Sequence, residues 1–241
     1  IRNTIGSNNQ YTNFTSIGGK KNKFSFYTFY NHKRGDGFRN NSNYKSNNVY
    51  VHLKKNLSNK SELSGEVTYM NYLAKQAGGL SDRMFINNPM QSNRSRNWFE
   101  LDWLLYNFKF KHRFNEKTNL SFSLFGLDAE RNTVGFRTNR VDQVDPLTER
   151  DLIRGNFNNH GLELKVLRKY QINEKKGTFV LGGKYYRSKS LSKQGPGSEG
   201  SDADFNIYLD DFPNYSNQSN YIYPNKNLSL IHISEPTRRQ S

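Results

Sequence analysis

Gly161-Leu162-Glu163-Leu164-Lys165-Val166-Leu167-Arg168-Lys169-Tyr170-Gln171-Ile172 is the stretch on which the reading of the whole chain turns. Successive side chains of a β-strand point to opposite faces. Leu162, Leu164, Val166, Arg168, Tyr170 and Ile172 therefore share one face, which is largely apolar, and Gly161, Glu163, Lys165, Leu167, Lys169 and Gln171 share the other, which is largely charged. Working outward, Leu63, Gly65, Val67, Tyr69 and Leu73 alternate in the same way with Glu62, Ser64, Glu66 and Thr68. Val49, Val51 and Leu53 alternate with Asn48, Tyr50, His52 and Lys54. A helical period fits none of these segments.

About eight such strands can be placed, each near the roughly 9 to 11 residues that a tilted membrane-spanning strand needs. Two change phase. Phe99, Leu101, Trp103 and Leu105 give way to Tyr106, Phe108 and Phe110, and Leu120, Phe122 and Leu124 give way to Phe125, Leu127 and Ala129. A β-bulge would restore the facing; alternatively the strands rise past the bilayer, where the rule of one apolar and one polar face relaxes.

The connections alternate in length. Short ones at Gly18 to Asn22, Leu57 to Ser61, Asn115 to Thr118 and Asn173 to Gly177 carry the Gly, Asn, Lys and Ser that turns require. Long polar ones at Arg34 to Asn43, Ala74 to Asn97, Asn132 to Asn159 and Leu191 to Asn220 lie between them. A soluble β-sandwich has no reason to lengthen one rim only, whereas short turns on one side and long loops on the other are the plan of a transmembrane barrel. Aromatic residues at strand ends, Trp98, Phe99 and Trp103 or Tyr185 and Tyr186, match interfacial girdles. The expected fold is all-β: a partial transmembrane antiparallel β-barrel of about eight to nine strands.

Composition agrees. Only 33% of the 241 residues are hydrophobic and mean hydropathy is −0.95, yet there are 17 Phe and 15 Tyr, which disordered chains lack. The longest apolar run, Trp103 to Tyr106, is far short of the roughly 20 residues a spanning helix needs. With 36 Lys+Arg against 21 Asp+Glu the net charge is +15, which suits a polyanion such as nucleic acid, lipopolysaccharide or an anionic solute. Richness in Asn, Lys, Tyr, Phe and Ile, residues with AT-rich codons, accounts for part of that charge equally well. There is no cysteine, hence no disulfide framework and no thiolate site.

Several segments then resemble the early barrel hairpins of TonB-dependent receptors of the ferric-citrate type found in Bacteroidetes. They are Thr15-Ser16-Ile17-Gly18-Gly19 with Lys23-Phe24-Ser25-Phe26-Tyr27 and Arg34-Gly35-Asp36-Gly37-Phe38-Arg39, then Tyr69-Met70-Asn71-Tyr72-Leu73-Ala74-Lys75-Gln76-Ala77-Gly78-Gly79-Leu80. Gln91-Ser92-Asn93-Arg94-Ser95-Arg96-Asn97-Trp98-Phe99 is the most specific, joined by Phe125-Gly126-Leu127-Asp128-Ala129-Glu130-Arg131 and Asn139-Arg140-Val141-Asp142. The resemblance implies a wall segment, residues 1–227, of a 22-stranded plugged barrel in the bacterial outer membrane. On that expectation the plug and the TonB-contacting box lie upstream, and the TonB-ExbB-ExbD complex powers import of a ferric chelate. Leu228-Ser229-Leu230-Ile231-His232-Ile233-Ser234-Glu235-Pro236-Thr237-Arg238 reads as the in-frame translation of a transposase sequencing adapter, so residues 228–241 are expected to be a non-native tail.

Candidate chemistry is sparse. Gly195-Pro196-Gly197-Ser198-Glu199-Gly200 spells G-x-G-x-x-G without a flanking buried strand and helix, and reads as a flexible loop. Arg34-Gly35-Asp36 spells an adhesion tripeptide but suits a hairpin turn. The histidines at 32, 52, 112, 160 and 232 are scattered, and Asp142, Asp145, Asp202, Asp204, Asp210 and Asp211 read as solvated loop carboxylates. No catalytic constellation, cofactor site or metal site is expected, and no enzyme activity. Arg83, Arg94 and Arg96 in one long loop and Arg131, Arg137 and Arg140 in the next are the ligand candidates, because guanidinium pairs carboxylates bidentately. Arginines serving lipopolysaccharide phosphate or water are the plainer reading of each residue alone. The remaining alternatives are a porin or adhesin barrel without TonB coupling, and a secreted basic β-rich module that binds polyanions; the barrel reading itself implies outer-membrane lipid as partner and no nucleic acid.

Overall fold

Each strand pairs antiparallel with the next one in sequence, so a single sheet runs in the order β1 to β10. The computed structural model describes residues 1–206 and, as backbone, 219–234. The strands are β1 (Arg2–Ile5), β2 (Tyr11–Lys21), β3 (Phe24–Gly35), β4 (Tyr44–Asn56), β5 (Ser61–Lys75), β6 (Trp98–Asn115), β7 (Thr118–Gly135), β8 (Arg150–Ile172), β9 (Lys175–Gly197) and β10 (Ser219–Ser234). A short helix α1 (Asp82–Asn87), capped by Ser81, sits in the β5–β6 connection. The first and last strands are not neighbours, so the sheet is open: a wall rather than a closed barrel.

The turns fall where Asn can adopt a left-handed backbone. Asn22 (φ 53°) closes β2–β3 and Asn173 (φ 46°) closes β8–β9, each in a two-residue connection. The opposite rim carries connections 36–43, 76–97 and 136–149, in the expected alternation. The strands run longer than expected at that rim. β8 and β9 have 23 residues each, and segments 150–159 and 191–197, expected as loop, continue the ladder. Asn156, Asn158, Ser188, Ser190 and Ser192 put polar side chains on both faces there. Alternation, the only sequence signal of a strand, vanishes once both faces carry polar side chains, while the backbone pairing does not.

No bulge repairs the phase changes. β6 and β7 pair without interruption from Trp98↔Val134 to Arg113↔Asn119, with Leu105 opposite Leu127 and Tyr106 opposite Gly126; the only register shift lies between Arg113 and Asn115. One face of the wall therefore carries Leu104, Tyr106, Phe108 and Phe110 and, above them, Glu100 and Asp102. The other carries Lys109 and Lys111 and, above them, Trp103, Leu101 and Phe99.

Register turns the first face into a continuous apolar band. Phe26, Leu53, Gly65, Phe108, Leu124, Leu162 and Tyr185 lie in one row across β3 to β9, and Leu63, Phe110, Phe122, Leu164 and Gly183 in the next. From Leu104 to Phe114 the band covers about 34 Å of strand, or about 25 Å of height at the usual barrel tilt. It is bare: Leu53, Phe108, Leu162 and Leu164 stay 40–47% exposed, and the described residues bury only three hydrophobic side chains, Ala74, Val134 and Leu152. A contiguous apolar surface of this size is not left to water. Among the described residues none packs over Leu162, Leu164 or Val166 as a second layer would.

Within the wall, glycines lie under the aromatic ring of their cross-strand partner. Phe108 covers Gly65, Tyr106 covers Gly126 and Phe125 covers Gly161. A β-carbon at Gly126 would come within 2.3 Å of the Tyr106 ring and 2.8 Å of the Asn159 carbonyl oxygen. Gly126→Val is accordingly expected to expel Tyr106 and destabilise the wall by about 1–3 kcal/mol, read as a lowered urea midpoint. An unchanged midpoint would mean that the ring is not seated on the glycine.

β10 pairs with β9 in one unbroken register from Ser219↔Ser192 to Ser234↔Gly177, straight through Leu228. Backbone pairing is indifferent to side chains, so the ladder does not bear on the origin of residues 228–234. Asp210, Asp211 and residues 235–241 lie outside the described residues.

Candidate functional site

The face opposite the apolar band is concave. A cavity of about 650 Å³ is lined from β4 to β9 by Tyr50, Glu66, Asn107, Phe125, Glu163 and Tyr186, which can face one space only if the sheet curves around them. Low on this face, Lys54, Lys109, Lys111, Lys165 and Lys184 outnumber Glu62 and Glu163, with ion pairs Lys54–Glu62 and Lys165–Glu163 at 2.5 and 2.7 Å. Higher up it becomes aromatic: Phe29 stacks on Tyr50 with ring centres 5.4 Å apart, and Phe125 stacks on Tyr186 at 6.3 Å. The convex face at that upper level carries Glu100, Asp102, Asp128 and Glu130.

The long-loop rim is held by arginines. Loop backbone lacks a ladder, so its carbonyls need donors from elsewhere, and one guanidinium offers five N–H groups in a fixed plane. Arg96 is 5% exposed; its Nε and Nη2 donate to Asp145 Oδ2 and Oδ1 at 2.9 and 2.5 Å, and Nη1 donates to the carbonyls of Thr148 and Glu199 at 3.1 and 2.7 Å. That one side chain ties connection 136–149 and the segment after β9 to the foot of β6. The Arg96 guanidinium holds the Asp145 carboxyl below the ordinary aspartate range, and Asp145 raises the Arg96 pKa in return.

Arg94, also 5% exposed, lies over the Phe136 ring at 5.0 Å and donates to the carbonyls of Asn93, Gln143 and Arg140. Gly78, at φ 73°, leaves room for it; a β-carbon there would meet Arg94 Cγ at 2.7 Å. Arg150 is 1% exposed and donates to Ser198 O, Ser198 Oγ, Arg96 O and Asp202 O; burial, then the nearby Arg96 charge, pushes its pKa down. Arg39 donates to the carbonyls of Gln91, Gly78 and Ala77, joining connections 36–43 and 76–97. Beneath the segment after β9, Val134 and Leu152 form a small core with Trp98 and Phe205.

Of the six arginines picked out from sequence, Arg94 and Arg96 are thus engaged inside the rim, and Arg140 pairs with Asp142 at 3.4 Å in water. Arg83, Arg131 and Arg137 are exposed, and Arg131 alone of the six lies on a strand of the concave face, 5.7 Å from the Phe157 ring centre. Sequence reasoning missed Arg39 and Arg150 as rim staples; nothing in their spacing distinguishes a guanidinium bound to carbonyls from one in solvent. Gly195 and Gly197 close β9 instead of opening a phosphate loop, and Arg34 and Gly35 end β3. Among the described residues no group of three His, Asp or Glu side chains is placed to hold a metal ion.

No protein-family model and no curated protein matches the chain. Solved structures do. The ferric citrate transporter FecA in its unliganded form superposes with a TM-score of 0.73 at 15% identity, over 92% of this chain and 33% of that one. BauA, the ferric preacinetobactin receptor from Acinetobacter baumannii, gives 0.66 at 10% identity over 92% and 33%. The ferripyoverdine receptor of the Pseudomonas aeruginosa outer membrane gives 0.66 at 13% over 94% and 33%. The chain spans about a third of the length of these structures. Ten antiparallel strands with a bare apolar convex face, a polar and aromatic concave face and one rim of stapled loops make the fold of this chain that of the barrel wall of TonB-dependent ferric-chelate receptors of the bacterial outer membrane.

Proposed function

We propose that the chain is wall and outer loops of an outer-membrane importer for a ferric chelate, driven through TonB, ExbB and ExbD. The observation that carries this reading is the continuous apolar band on the convex face, over which no second layer lies among the described residues, backed by a concave face rich in lysine and aromatic rings. Lipid covers the band, and lipopolysaccharide meets the wall above it. The chelate enters from the long-loop rim, where exposed Arg83, Arg131 and Arg137 supply cations to an anionic ligand. Arg94, Arg96 and Arg140 serve the same mouth indirectly, by holding the loops that shape it.

On the same reading residues 1–227 are receptor and 228–241 are adapter-derived, which the residue-by-residue match of 228–238 to the adapter frame supports. The test is uptake of radioactive iron from ferric citrate and from ferric siderophores by cells that express the full-length receptor and no other. Uptake that stops when TonB is deleted is the expected result. Uptake that persists without TonB would make the protein a porin, and salt-sensitive nucleic-acid binding by a chain soluble without detergent would make it a polyanion-binding module.

A further inference from the structure

We propose that the short-turn edge of the convex face, where Lys21, Lys55, Arg168 and Lys175 stand among apolar and aromatic side chains, docks the phosphate headgroups of anionic phospholipids in the inner leaflet of the outer membrane. The proposal rests on reading the apolar band as the lipid-covered surface and adds which lipid chemistry one edge of that band selects.

Register puts all four cations on the lipid-facing side. Lys21 at the end of β2 and Lys55 near the end of β4 are both opposite Phe24, the first residue of β3. Two strand spacings set their backbones about 10 Å apart, so both ammonium groups can reach the phosphate of one headgroup. At the other end of the wall Arg168 follows Leu164 and Val166 on the same face of β8, and Lys175 is opposite Ile172 where β9 begins. Each of the four lies within four residues of a strand end at a short turn.

The wall does not neutralise them. Among the described residues, no strand carries a carboxylate on the convex face between the Tyr106 row and the short turns. Glu62, Glu66 and Glu163 are on the concave face, and Glu116 and Glu174 sit in the turns without an ion pair to any of the four. The ammonium groups of Lys21, Lys55 and Lys175 make no hydrogen bond or ion pair among the described residues, and Arg168 donates to the neutral Thr118 Oγ1 at 2.8 Å. At the long-loop edge the same face is mixed in sign, with Glu100, Asp102, Asp128 and Glu130 beside Arg154 and Lys193. A preference for a negative headgroup therefore belongs to the short-turn edge.

The neighbours of these cations point to a lipid and not to a soluble acid. Phe24, Phe114 and Ile172 are exposed at this edge, and exposed Leu63, Leu164 and Leu181 continue the face into the band. Acyl chains lie along the leucines, while the lysine stems run past the rings and hold their ammonium groups at headgroup level. A soluble acidic partner would use the charges and leave Phe24, Phe114 and Ile172 in water. Each Lys or Arg near a negative membrane surface adds to the attraction; a zwitterionic headgroup, which carries its own ammonium, gains much less.

The test uses the full-length receptor reconstituted into phosphatidylcholine vesicles with a trace of spin-labelled lipid, and electron spin resonance to read the label immobilised at the protein surface. Spin-labelled phosphatidylglycerol is expected to be held at least about threefold more strongly than spin-labelled phosphatidylcholine, and about 0.5 M sodium chloride should remove the difference by screening. Lys21→Gln/Lys55→Gln/Arg168→Gln/Lys175→Gln should make the two lipids equal at low salt. Lys20→Gln/Lys23→Gln/Lys169→Gln/Lys176→Gln, which takes the same charge from the turns and the concave side of this edge, should keep most of the preference. If the first variant does not insert, Lys21→Gln/Lys55→Gln alone, expected to lose part of the preference, and the salt series on the parent decide. Equal binding of the two lipids by the inserted parent, or a preference lost alike in both quadruple variants, overturns the proposal and leaves the importer standing. A parent chain that immobilises no lipid at all overturns the proposal and the membrane reading together.

Discussion

Arginine at both Leu124 and Leu162 is expected to stop the wall from entering a bilayer. The two residues face each other on β7 and β8 in the middle of the convex band, each 40% exposed. A lipid-facing arginine near the midplane of a barrel costs about 2–4 kcal/mol, and two placed opposite each other add repulsion, so the pair approaches the whole stability of an ordinary domain. Refolding of the receptor into phospholipid vesicles, followed by the heat-dependent gel shift of folded barrels, should fail for Leu124→Arg/Leu162→Arg. The control is Ser123→Arg on the concave face, one residue away in sequence and opposite Glu163, which should fold. If the leucine pair inserts as readily as the control, the convex face does not meet lipid and the receptor reading collapses with it.

Asp145→Ala is expected to free the outer rim while leaving the strands intact. The Arg96–Asp145 pair is buried, with both side chains 6% exposed, and Arg96 also ties down the carbonyls of Thr148 and Glu199. Removing one partner of a buried pair strands the other charge and costs about 3–5 kcal/mol. Amides at 94–98 and 146–150 should then lose at least about 100-fold of their hydrogen-exchange protection, with β4 and β5 unchanged. Arg96→Met/Asp145→Leu should lose much less, because no lone charge remains.

Acid should act like the alanine. Asp145 has its pKa lowered in the folded chain, first by the hydrogen bond from Arg96. A depressed carboxylate adds stability that is complete above its unfolded pKa and disappears as the pH falls through the lower folded value. Rim protection should therefore be flat from neutral pH down to the ordinary aspartate range and fall only below it. A rim equally protected in Asp145→Ala and in the parent, at neutral pH, would show that the pair does not hold the loops.

The amino-acid sequence by itself determined the facing of the wall and the alternation of its connections. Leu162, Leu164 and Val166, Phe122 and Leu124, and Asn22 and Asn173 state in the order of residues which side is apolar and where the chain turns, because strand periodicity and left-handed turn preferences are local properties. The strand ends beyond the band were not legible. Across 150–159 and 191–197 polar side chains stand on both faces, and the ladder that continues there is written in backbone pairing with a distant partner. The phase changes at Leu105 and Leu124 were visible, but only the uninterrupted register decided between a bulge and a strand that outruns the bilayer.

The division of labour among the arginines was decided by tertiary structure alone. Arg94 and Arg96 are drawn into the rim because the carbonyls of 140–148 and Asp145 converge on them from some 50 positions away, whereas Arg131 makes no ion pair among the described residues because strand parity sends the carboxylates of β6 and β7 beside it to the opposite face. A guanidinium's role depends on which acceptors the fold brings within about 3 Å, and that distance is set by pairings across the whole sheet, not by the residues on either side.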